Sequence, residues 1–247
     1  MNLESFYKEN PKVALGFSGG VDSSYLLYAG RMYGADIQPY FVKSAFQPAF
    51  ELDDAKRIAA HVEADFRLIE CDILAYDDVV CNPENRCYFC KQAIFGAIAS
   101  RAAADGYSIL VDGTNASDDD GDRPGIRALA ELSVRSPLRD AGLSKEDIRR
   151  LSREAGLFTW DKPSYACLAT RIPSGVRITP DALRRVEASE EVLHSMGFRD
   201  FRIRVFHGVA RIQVPDGQLT LVLDKRKDIL LQLRPYFDTV LLDLVVR

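Results

Sequence analysis

Short apolar runs alternate with segments of helical periodicity along the first two thirds of the chain. The runs at 12–17, 36–42, 66–71 and 107–113 are bounded by turn residues and predict buried strands. Apolar residues at helical spacing predict helices at 21–34, 52–62, 89–106 and 144–156, the last with Ser144 as its N-cap. Strands that alternate with helices indicate an α/β fold with a parallel sheet.

The pattern changes after residue 172. A helix at 179–197 opens with a Thr cap and a proline, and strands at 198–206 and 209–215 flank a tight turn at His207 and Gly208. A helix at 216–237 and a strand at 239–246 follow. This order predicts a small α+β domain with an antiparallel sheet. We therefore predict two domains, an α/β domain at 1–172 and a small α+β domain at 173–247.

Composition narrows the class of protein. The 247 residues are 47% hydrophobic and 28% charged, as in ordinary soluble domains, and the net charge of −4 makes nucleic acid an unlikely partner. The first residues lack the order of a signal peptide and no apolar run could span a bilayer, so we expect a cytoplasmic protein with no membrane partner. The odd number of cysteines favours metal binding or catalysis over a disulfide framework; they are Cys71, Cys81, Cys87, Cys90 and Cys167.

The segment GFSGGVDSS, at 16–24, follows a predicted strand and opens a predicted helix. Its adjacent glycines let the backbone fold tightly, and the helix N-terminus adds its dipole, so the segment predicts a diphosphate site. Hydroxyls of Ser18, Ser23 and Ser24 add donors, and Asp22 is suited to hold Mg²⁺. Neither G-x-x-x-x-G-K-[ST] nor G-x-G-x-x-G fits here.

A second loop, at 112–125, follows the fourth predicted strand. Ligands of open α/β sheets bind outside the carboxyl ends of the strands, so this loop should face the nucleotide. Its acids are candidate metal ligands, and Arg123 and Arg127 are candidates to neutralise phosphate or carboxylate. A solvated acidic turn is the alternative interpretation.

The glycine segment resembles the pyrophosphate-loop (PP-loop) ATP pyrophosphatases, which adenylylate an oxygen and let a nitrogen or sulfur nucleophile displace AMP. Further stretches sharpen the resemblance to LarE-type sulfur transferases over nearly the whole chain: NRCYFCK at 85–91, DGTNASDDDGDRPGIRAL at 112–129, RSPL at 135–138, KPSYACLATRIPSG at 162–175 and RVFHGVARI at 204–212. The family fold is a doubly wound parallel sheet of the adenine nucleotide alpha hydrolase type.

The resemblance implies a reaction and a set of site residues. The implied substrate is pyridinium-3,5-biscarboxylic acid mononucleotide, whose carboxylates become thiocarboxylates for the nickel-pincer cofactor of lactate racemase. ATP and Mg²⁺ are the implied co-substrate and metal, and a homo-oligomer is expected. By the same resemblance, the domain at 1–172 is the PP-loop ATP-binding domain and the domain at 173–247 serves substrate binding and oligomerisation. The implied nucleotide-binding residues are Phe17, Ser18, Gly19, Gly20, Val21, Asp22, Ser23, Ser24, Ser44, Gly113 and Thr114, with Asp22 as the Mg²⁺ ligand.

Cys167 is the implied sulfur-transferring residue, and three interpretations of it remain open. It is an inert core thiol, a sacrificial nucleophile left as dehydroalanine and activated by cations such as Lys162 or Arg171, or a ligand of a [4Fe–4S] cluster. The pair Cys87 and Cys90 favours the cluster, which these two and Cys167 would hold. A zinc site on Cys81, Cys87 and Cys90 is a further possibility, and Cys71 is expected to be a core residue.

A basic segment near residue 204 is the implied grip on the substrate phosphate. Arg202 and Arg204 share one face of a predicted strand, and the implied phosphate ligands are Arg204, His207 and Arg211. A solvated basic face is the alternative. Glutamate is expected at the position of Gln213 in many relatives, so the resemblance is weaker there.

Two other functions stay open. One is a different PP-loop reaction, either tRNA thiolation or ATP-dependent amide formation. The other is a nucleotide- or metal-binding regulator without catalysis.

Overall fold

The computed structural model describes residues 2–118 and 124–247, so Arg123 and the middle of the acidic loop lie outside the described residues. The chain forms two units: the first comprises Met1–Ile73 and Asn85–Lys162, the second Leu74–Glu84 and Pro163–Arg247. Compared with the predicted boundary, the second unit also takes in residues 74–84 and 163–172. No helix in the described ranges combines the length and the apolar character that crossing a membrane requires.

Helices occupy most of the predicted positions. In chain order they are α1 Leu3–Glu9, α2 Val21–Met32, α3 Ala49–His61, α4 Asp77–Val80, α5 Arg86–Ala104, α6 Pro124–Glu131, α7 Pro137–Asp140, α8 Lys145–Glu154, α9 Pro180–Ser195, α10 Leu219–Asp224 and α11 Arg226–Leu233. The predicted cap of α8 is confirmed as a capping box, in which the Ser144 and Asp147 side chains each accept from the other's backbone N–H. Helix α5 starts before the predicted position and therefore carries both Cys87 and Cys90.

The first unit is built on four parallel strands, which confirms the predicted parallel α/β sheet. The strands are β1 Lys12–Gly16, β2 Asp36–Lys43, β3 Arg67–Glu70 and β4 Leu110–Val111. They lie in the order β3-β2-β1-β4, and all pairs are parallel. Because β2 and β4 flank β1 on opposite sides, the winding direction reverses at β1, and such a reversal opens a crevice at the carboxyl ends of the strands.

Helices cover both faces of this sheet. Val13 and Leu15 of β1 belong to a core cluster that includes Leu26 of α2 and Ile58 of α3. Ala14, which points to the opposite face, belongs to a second cluster with residues of α5. Burial on both faces explains why the strands are continuous apolar runs.

The second unit contains a three-stranded sheet whose topology corrects a prediction. Its strands are β5 Arg202–Phe206, β6 Val209–Gln213 and β7 Val240–Leu242, in that order. The β5–β6 pair is antiparallel, whereas β6 and β7 are parallel, so the prediction of a purely antiparallel sheet is wrong. The chain between β6 and β7 is a helical crossover, which returns it to the same end of the sheet and makes the pair parallel.

The predicted hairpin turn is confirmed, whereas the helix predicted between β6 and β7 is corrected. His207 and Gly208 have φ of 48° and 82°, the left-handed geometry of a two-residue hairpin turn. The predicted helix at 216–237 is instead a 3₁₀ turn followed by α10 and α11. The break falls at Lys225, whose φ of −90° and ψ of 7° lie between the helical and extended regions.

Candidate functional site

The predicted nucleotide-binding residues gather at the carboxyl edge of the first unit's sheet. The loop at 17–24 follows β1, Ser44 follows β2, and Gly113 with Thr114 follows β4. Because the strands are parallel, these three loops leave the sheet at the same edge. The predicted residues therefore lie at one edge of the sheet, and their binding of a nucleotide stays a prediction.

The glycine loop has a backbone that other residues could not adopt without strain. Gly19 has φ of +69°, and a Cβ added there would lie 2.9 Å from the backbone nitrogen of Ala55 in α3. Gly20 caps α2 and has no side chain to occupy the amides of the first turn. The N-terminus of α2 therefore offers backbone N–H groups and a positive dipole end to an anion.

Hydroxyl groups line this loop. Ser18 Oγ lies 3.1 Å from Ser23 Oγ, which also accepts from the Ser18 amide at 3.3 Å. Ser24 Oγ is buried and has no hydrogen-bond partner within residues 2–118 and 124–247. An orphaned buried hydroxyl beside a helix N-terminus fits a phosphate oxygen as its partner. Phe17 and Val21 are buried apolar supports of the loop.

Asp22 lies in the first turn of α2 and contacts two polar side chains. Lys145 Nζ lies 2.5 Å from its Oδ2, and Asn115 Nδ2 donates to its Oδ1 at 3.4 Å. Burial raises the pKa of Asp22 from its usual 3.8, and the Lys145 ammonium opposes that shift. A carboxylate beside a diphosphate cradle fits Mg²⁺, which takes one or two carboxylates together with phosphate oxygens.

The loop after β4 approaches the start of α2 closely. A Cβ at Gly113 would lie 2.9 Å from the Ser23 amide nitrogen, so glycine is required for the approach. Thr114 donates its hydroxyl to Asp112, which also accepts from Ser136 Oγ at 2.7 Å. These bonds fix the start of the loop. Residues 119–123, further along it, lie outside the described residues.

Ser44 is used in a local turn at the end of β2. Its hydroxyl donates to Gln47 Oε1 at 2.7 Å and accepts from the Phe46 amide at 3.2 Å. The residue therefore shapes the second loop of the edge.

Lys162 joins the glycine loop from the end of the first unit. Its Nζ lies 2.7 Å from Asp54 Oδ2 in α3 and donates to the Gly19 carbonyl at 3.4 Å. Arg149 of α8 holds the neighbouring backbone by donating to the carbonyls of Trp160 and Lys162 at 2.6 and 2.8 Å. The sequence suggests Lys162 for thiolate activation, whereas within the first unit its ammonium contacts Asp54 of α3 and the glycine loop.

Cys87 and Cys90 lie three residues apart in the first turns of α5, a spacing that puts both on one face of the helix. Lys91, the next residue, lies 4.0 Å from Asp112 at the end of β4. A Cβ at Gly125 in α6 would meet Lys91 at 3.5 Å and Cys87 at 3.9 Å. The pair therefore lies beside the loop that follows β4.

Metal sites on cysteine stay predictions. Across the described ranges no group of three or more His, Cys, Asp or Glu side chains is arranged to hold a metal ion. Cys87 and Cys90 belong to the first unit, whereas Cys81 and Cys167 belong to the second. Cys71 packs against the core cluster on the α5 face, as expected, and burial raises the pKa of its thiol.

Cys167 directly precedes a short 3₁₀ turn in the second unit, Leu168–Arg171. Its carbonyl accepts from the backbone amide and the hydroxyl of Thr170, at 3.0 and 2.9 Å. The residue as a whole is half-buried.

A buried ion pair supports the Cys167 segment. Arg171 is fully buried and its Nε and Nη2 donate to Glu190 of α9 at 2.8 and 3.2 Å. Its Nη1 donates to the Ala166 carbonyl at 2.9 Å, and Tyr165 Oη donates to Glu190 at 2.5 Å. Arg171 therefore fixes the backbone on either side of Cys167.

Two arginines of β5 hold the same segment. Arg202 donates to the Ser164 carbonyl at 2.5 Å, and Arg204 donates to the Thr170 carbonyl at 2.8 Å. Arg202 is buried, so the alternative of a solvated basic face does not describe it. Burial lowers the pKa of Arg202 to about 10 and also lowers the pKa of Arg204; neighbouring Arg171 acts in the same direction on both.

Arg211 and His207 complete the predicted phosphate group. Arg211 lies opposite Arg204 in the β5–β6 register, so their side chains share one face of the hairpin. Its Nε lies 3.3 Å from Asp243 but makes no aligned hydrogen bond within the described part of the chain. The contact is an ion pair, because the attraction between opposite charges does not require the N–H bond to point at the carboxylate. His207 is exposed at the hairpin turn.

Sequence reasoning missed several site residues. Lys145, Asp54 and Arg149 lie on helix surfaces, where a charged residue is usually solvated. The sequence does not mark Glu190 or Tyr165 as site residues. A buried acid in a helix cannot be distinguished in the sequence from an exposed one until its partner is known.

Known proteins resemble the chain over most of its length, although no protein-family model matches it. An uncharacterized protein of Synechocystis is 37% identical over 221 residues, which cover 88% of this chain and 82% of that protein. An uncharacterized protein of Methanocaldococcus jannaschii is 28% identical over 235 residues, covering 95% and 89%. The pyridinium-3,5-bisthiocarboxylic acid mononucleotide synthase of Lactiplantibacillus plantarum is 32% identical over 219 residues, covering 88% and 79%. On this similarity the chain belongs to the LarE-type family, the family of the Lactiplantibacillus plantarum synthase.

Proposed function

We propose that this protein is an ATP-dependent, AMP- and diphosphate-forming sulfur transferase of the PP-loop class. Its substrate is pyridinium-3,5-biscarboxylic acid mononucleotide, whose carboxylates it converts to thiocarboxylates. The observation that carries the proposal is the glycine loop at the start of α2, with the orphaned Ser24 hydroxyl beside it. The printed name of the 32% identical relative supports the product.

The first half-reaction is adenylylation. A substrate carboxylate oxygen attacks the α-phosphorus of ATP, a new P–O bond forms, and the bond to the diphosphate breaks. Amides of Gly20 and the first turn of α2, with the hydroxyls of Ser18, Ser23 and Ser24, stabilise the charge that develops on the diphosphate. Asp22 would hold Mg²⁺, which neutralises phosphate charge when bound.

The second half-reaction transfers sulfur, and Cys167 is the residue we assign to it. In the sacrificial form its thiol loses a proton to solvent, the sulfur attacks the acyl carbon, and AMP leaves. A base then removes the Cα proton of Cys167, the Cβ–S bond breaks, and the thiocarboxylate departs from dehydroalanine. A [4Fe–4S] cluster on Cys87, Cys90 and Cys167 would instead supply the sulfur as a bound sulfide and leave Cys167 intact.

The substrate phosphate is assigned to the basic face of the β5–β6 hairpin. Arg204 and Arg211 are directly opposite each other, and like charges in that position destabilise a sheet. The acceptors that Arg204 contacts, Thr170 O and Gln213 Oε1, are neutral, so its charge is available to an anion. His207 at the hairpin turn is the third candidate ligand.

Isotope exchange between diphosphate and ATP tests the first half-reaction. We expect exchange that depends on the biscarboxylate mononucleotide and falls when Asp22 is replaced by alanine. Exchange with tRNA or another acceptor, but not with the mononucleotide, would indicate a different PP-loop reaction. ATP binding without exchange on any acceptor would indicate a regulator.

Intact mass and a visible spectrum test the sulfur source. The protein is purified without oxygen and measured before and after turnover. Loss of the mass of one H₂S from a colourless protein identifies the sacrificial route, whereas broad visible absorbance with several turnovers identifies the cluster. Cys167→Ser should abolish thiocarboxylate formation and retain diphosphate exchange, while the matched control Cys71→Ser retains both. Thiocarboxylate formation by Cys167→Ser would contradict the assignment.

A further inference from the structure

Lys162 contacts the one carbonyl that separates the two glycines of the diphosphate loop. The peptide that joins Gly19 to Gly20 is held at both ends: its oxygen accepts from Lys162 Nζ at 3.4 Å, and its N–H donates to Ser18 Oγ at 3.3 Å. Rotation of this peptide by half a turn would exchange the oxygen and the N–H. The orientation of a single peptide therefore decides which of the two points toward a bound anion.

The ammonium group that holds this peptide is itself anchored. Its Nζ lies 2.7 Å from Asp54 of α3, and the two side chains are only 16% and 20% exposed. The Lys162 backbone is fixed from the other side, since Arg149 donates to its carbonyl at 2.8 Å. The helix that carries Asp54 also carries Ala55, against which Gly19 packs without room for a Cβ. Lys162, Asp54 and the loop thus form one connected unit.

We propose that Lys162 is a positioning residue of the diphosphate loop, an inference that rests on the proposed function. The ammonium stabilises the Gly19 carbonyl in its observed direction and keeps that oxygen from repelling a phosphate oxygen. Asp54 holds the Lys162 ammonium through one carboxylate oxygen and accepts from Arg57 through the other at 3.3 Å. In this anchored position Lys162 acts through the peptide and not as a general attractor of anions. Because the peptide is held at both ends, its orientation is set before the anion binds. Less binding free energy is therefore lost in ordering the loop.

Asp54 separates this mechanism from simple electrostatic attraction. If Lys162 attracted diphosphate directly, Asp54→Asn would remove a competing negative charge and strengthen binding. If Lys162 acts by positioning, Asp54→Asn releases the ammonium from its anchor and weakens binding. The two mechanisms therefore predict opposite signs for the same neutral, nearly isosteric substitution.

Calorimetric titration of the full-length protein with inorganic diphosphate, in the presence of a chelator and without ATP, provides the test. We expect Lys162→Met to weaken binding about tenfold, the loss of one charge-assisted hydrogen bond. Asp54→Asn should weaken it severalfold and Lys162→Arg should retain most of it. Lys8→Met removes the same charge from an exposed ion pair and is the matched control, with no change expected.

Each outcome has a defined meaning. Equal binding by Lys162→Met and the parent protein, or stronger binding by Asp54→Asn, overturns the inference. Absence of diphosphate and ATP binding in the parent protein overturns the proposed function instead. Thermal melting shows whether each variant folds, and if Lys162→Met does not, the sign of the Asp54→Asn effect decides the question.

Discussion

Replacing Glu190 with glutamine is expected to destabilise the second unit by about 3 kcal/mol or more. Glu190 is 6% exposed, and its carboxylate accepts from Arg171 Nε and Nη2, from Tyr165 Oη and from the Ile203 amide at 3.0 Å. Glutamine has nearly the same shape but no charge, and its amide group would face a donor. Arg171 would then keep a charge in a fully buried position without a carboxylate.

The magnitude follows from the burial of the pair. Breaking a buried ion pair from one side costs about 3–5 kcal/mol, because the remaining charge loses its compensation. Arg171 keeps two neutral acceptors, Ala166 O and Thr170 Oγ1, which places the expected value toward the lower end of that range. The exposed pair Arg150–Glu154, at 3.1 Å with both side chains more than half exposed, is the matched comparison.

Urea unfolding followed by circular dichroism measures the effect, with each transition fitted separately because the chain has two units. Glu154→Gln should change the free energy of unfolding by less than about 0.5 kcal/mol. Replacing Arg171 and Glu190 together by methionine should recover much of the loss, since no buried charge remains. A loss below about 1 kcal/mol for Glu190→Gln would refute the role assigned to the pair.

Three further outcomes are expected. Gly19→Ala should lower the free energy of unfolding by about 1–2 kcal/mol because of the left-handed backbone, and by more because the new Cβ meets Ala55. Gly34→Ala, where φ is +76° and no atom lies near the new Cβ, should show only the backbone effect in urea unfolding. Asp22→Asn should raise stability at neutral pH: burial raises the pKa of Asp22 above 3.8, so its contribution is present below 3.8 and is lost as pH rises through the folded-state pKa. The gain in melting temperature should vanish at pH values below 3.8, and a gain that persists there would contradict the sign. Cys87→Ser should remove any visible absorbance of anaerobically purified protein, and undiminished absorbance would exclude it as a cluster ligand.

Local physics was enough to predict the elements and the anion loop. The apolar runs before Gly16 and Lys43 are buried on both faces of the sheet, so their composition alone marks them as strands. Gly19 is required by the backbone itself, because its φ is +69°, and such a glycine is visible in the sequence. The Ser144 cap is also local, because its partner lies three residues away.

Contacts between distant parts of the chain could not be predicted from pattern. The parallel pairing of β7 with β6 depends on how the intervening helices return the chain, and the break at Lys225 carries no sequence signal. Arg171 and Glu190 are separated by 19 residues, and Lys162 and Gly19 by 143. A charged residue is identical in the sequence whether it is solvated or buried against a partner.

The sequence by itself determined the α/β class, the position of the glycine loop and the resemblance to a sulfur transferase, since these depend on periodicity and on short motifs. Tertiary structure alone decided that Arg202 and Arg204 hold the backbone around Cys167, and that Lys162 and Asp54 support the Gly19 carbonyl. The physical reason is that burial and hydrogen-bond partners, which set what a charged side chain does, are created by folding.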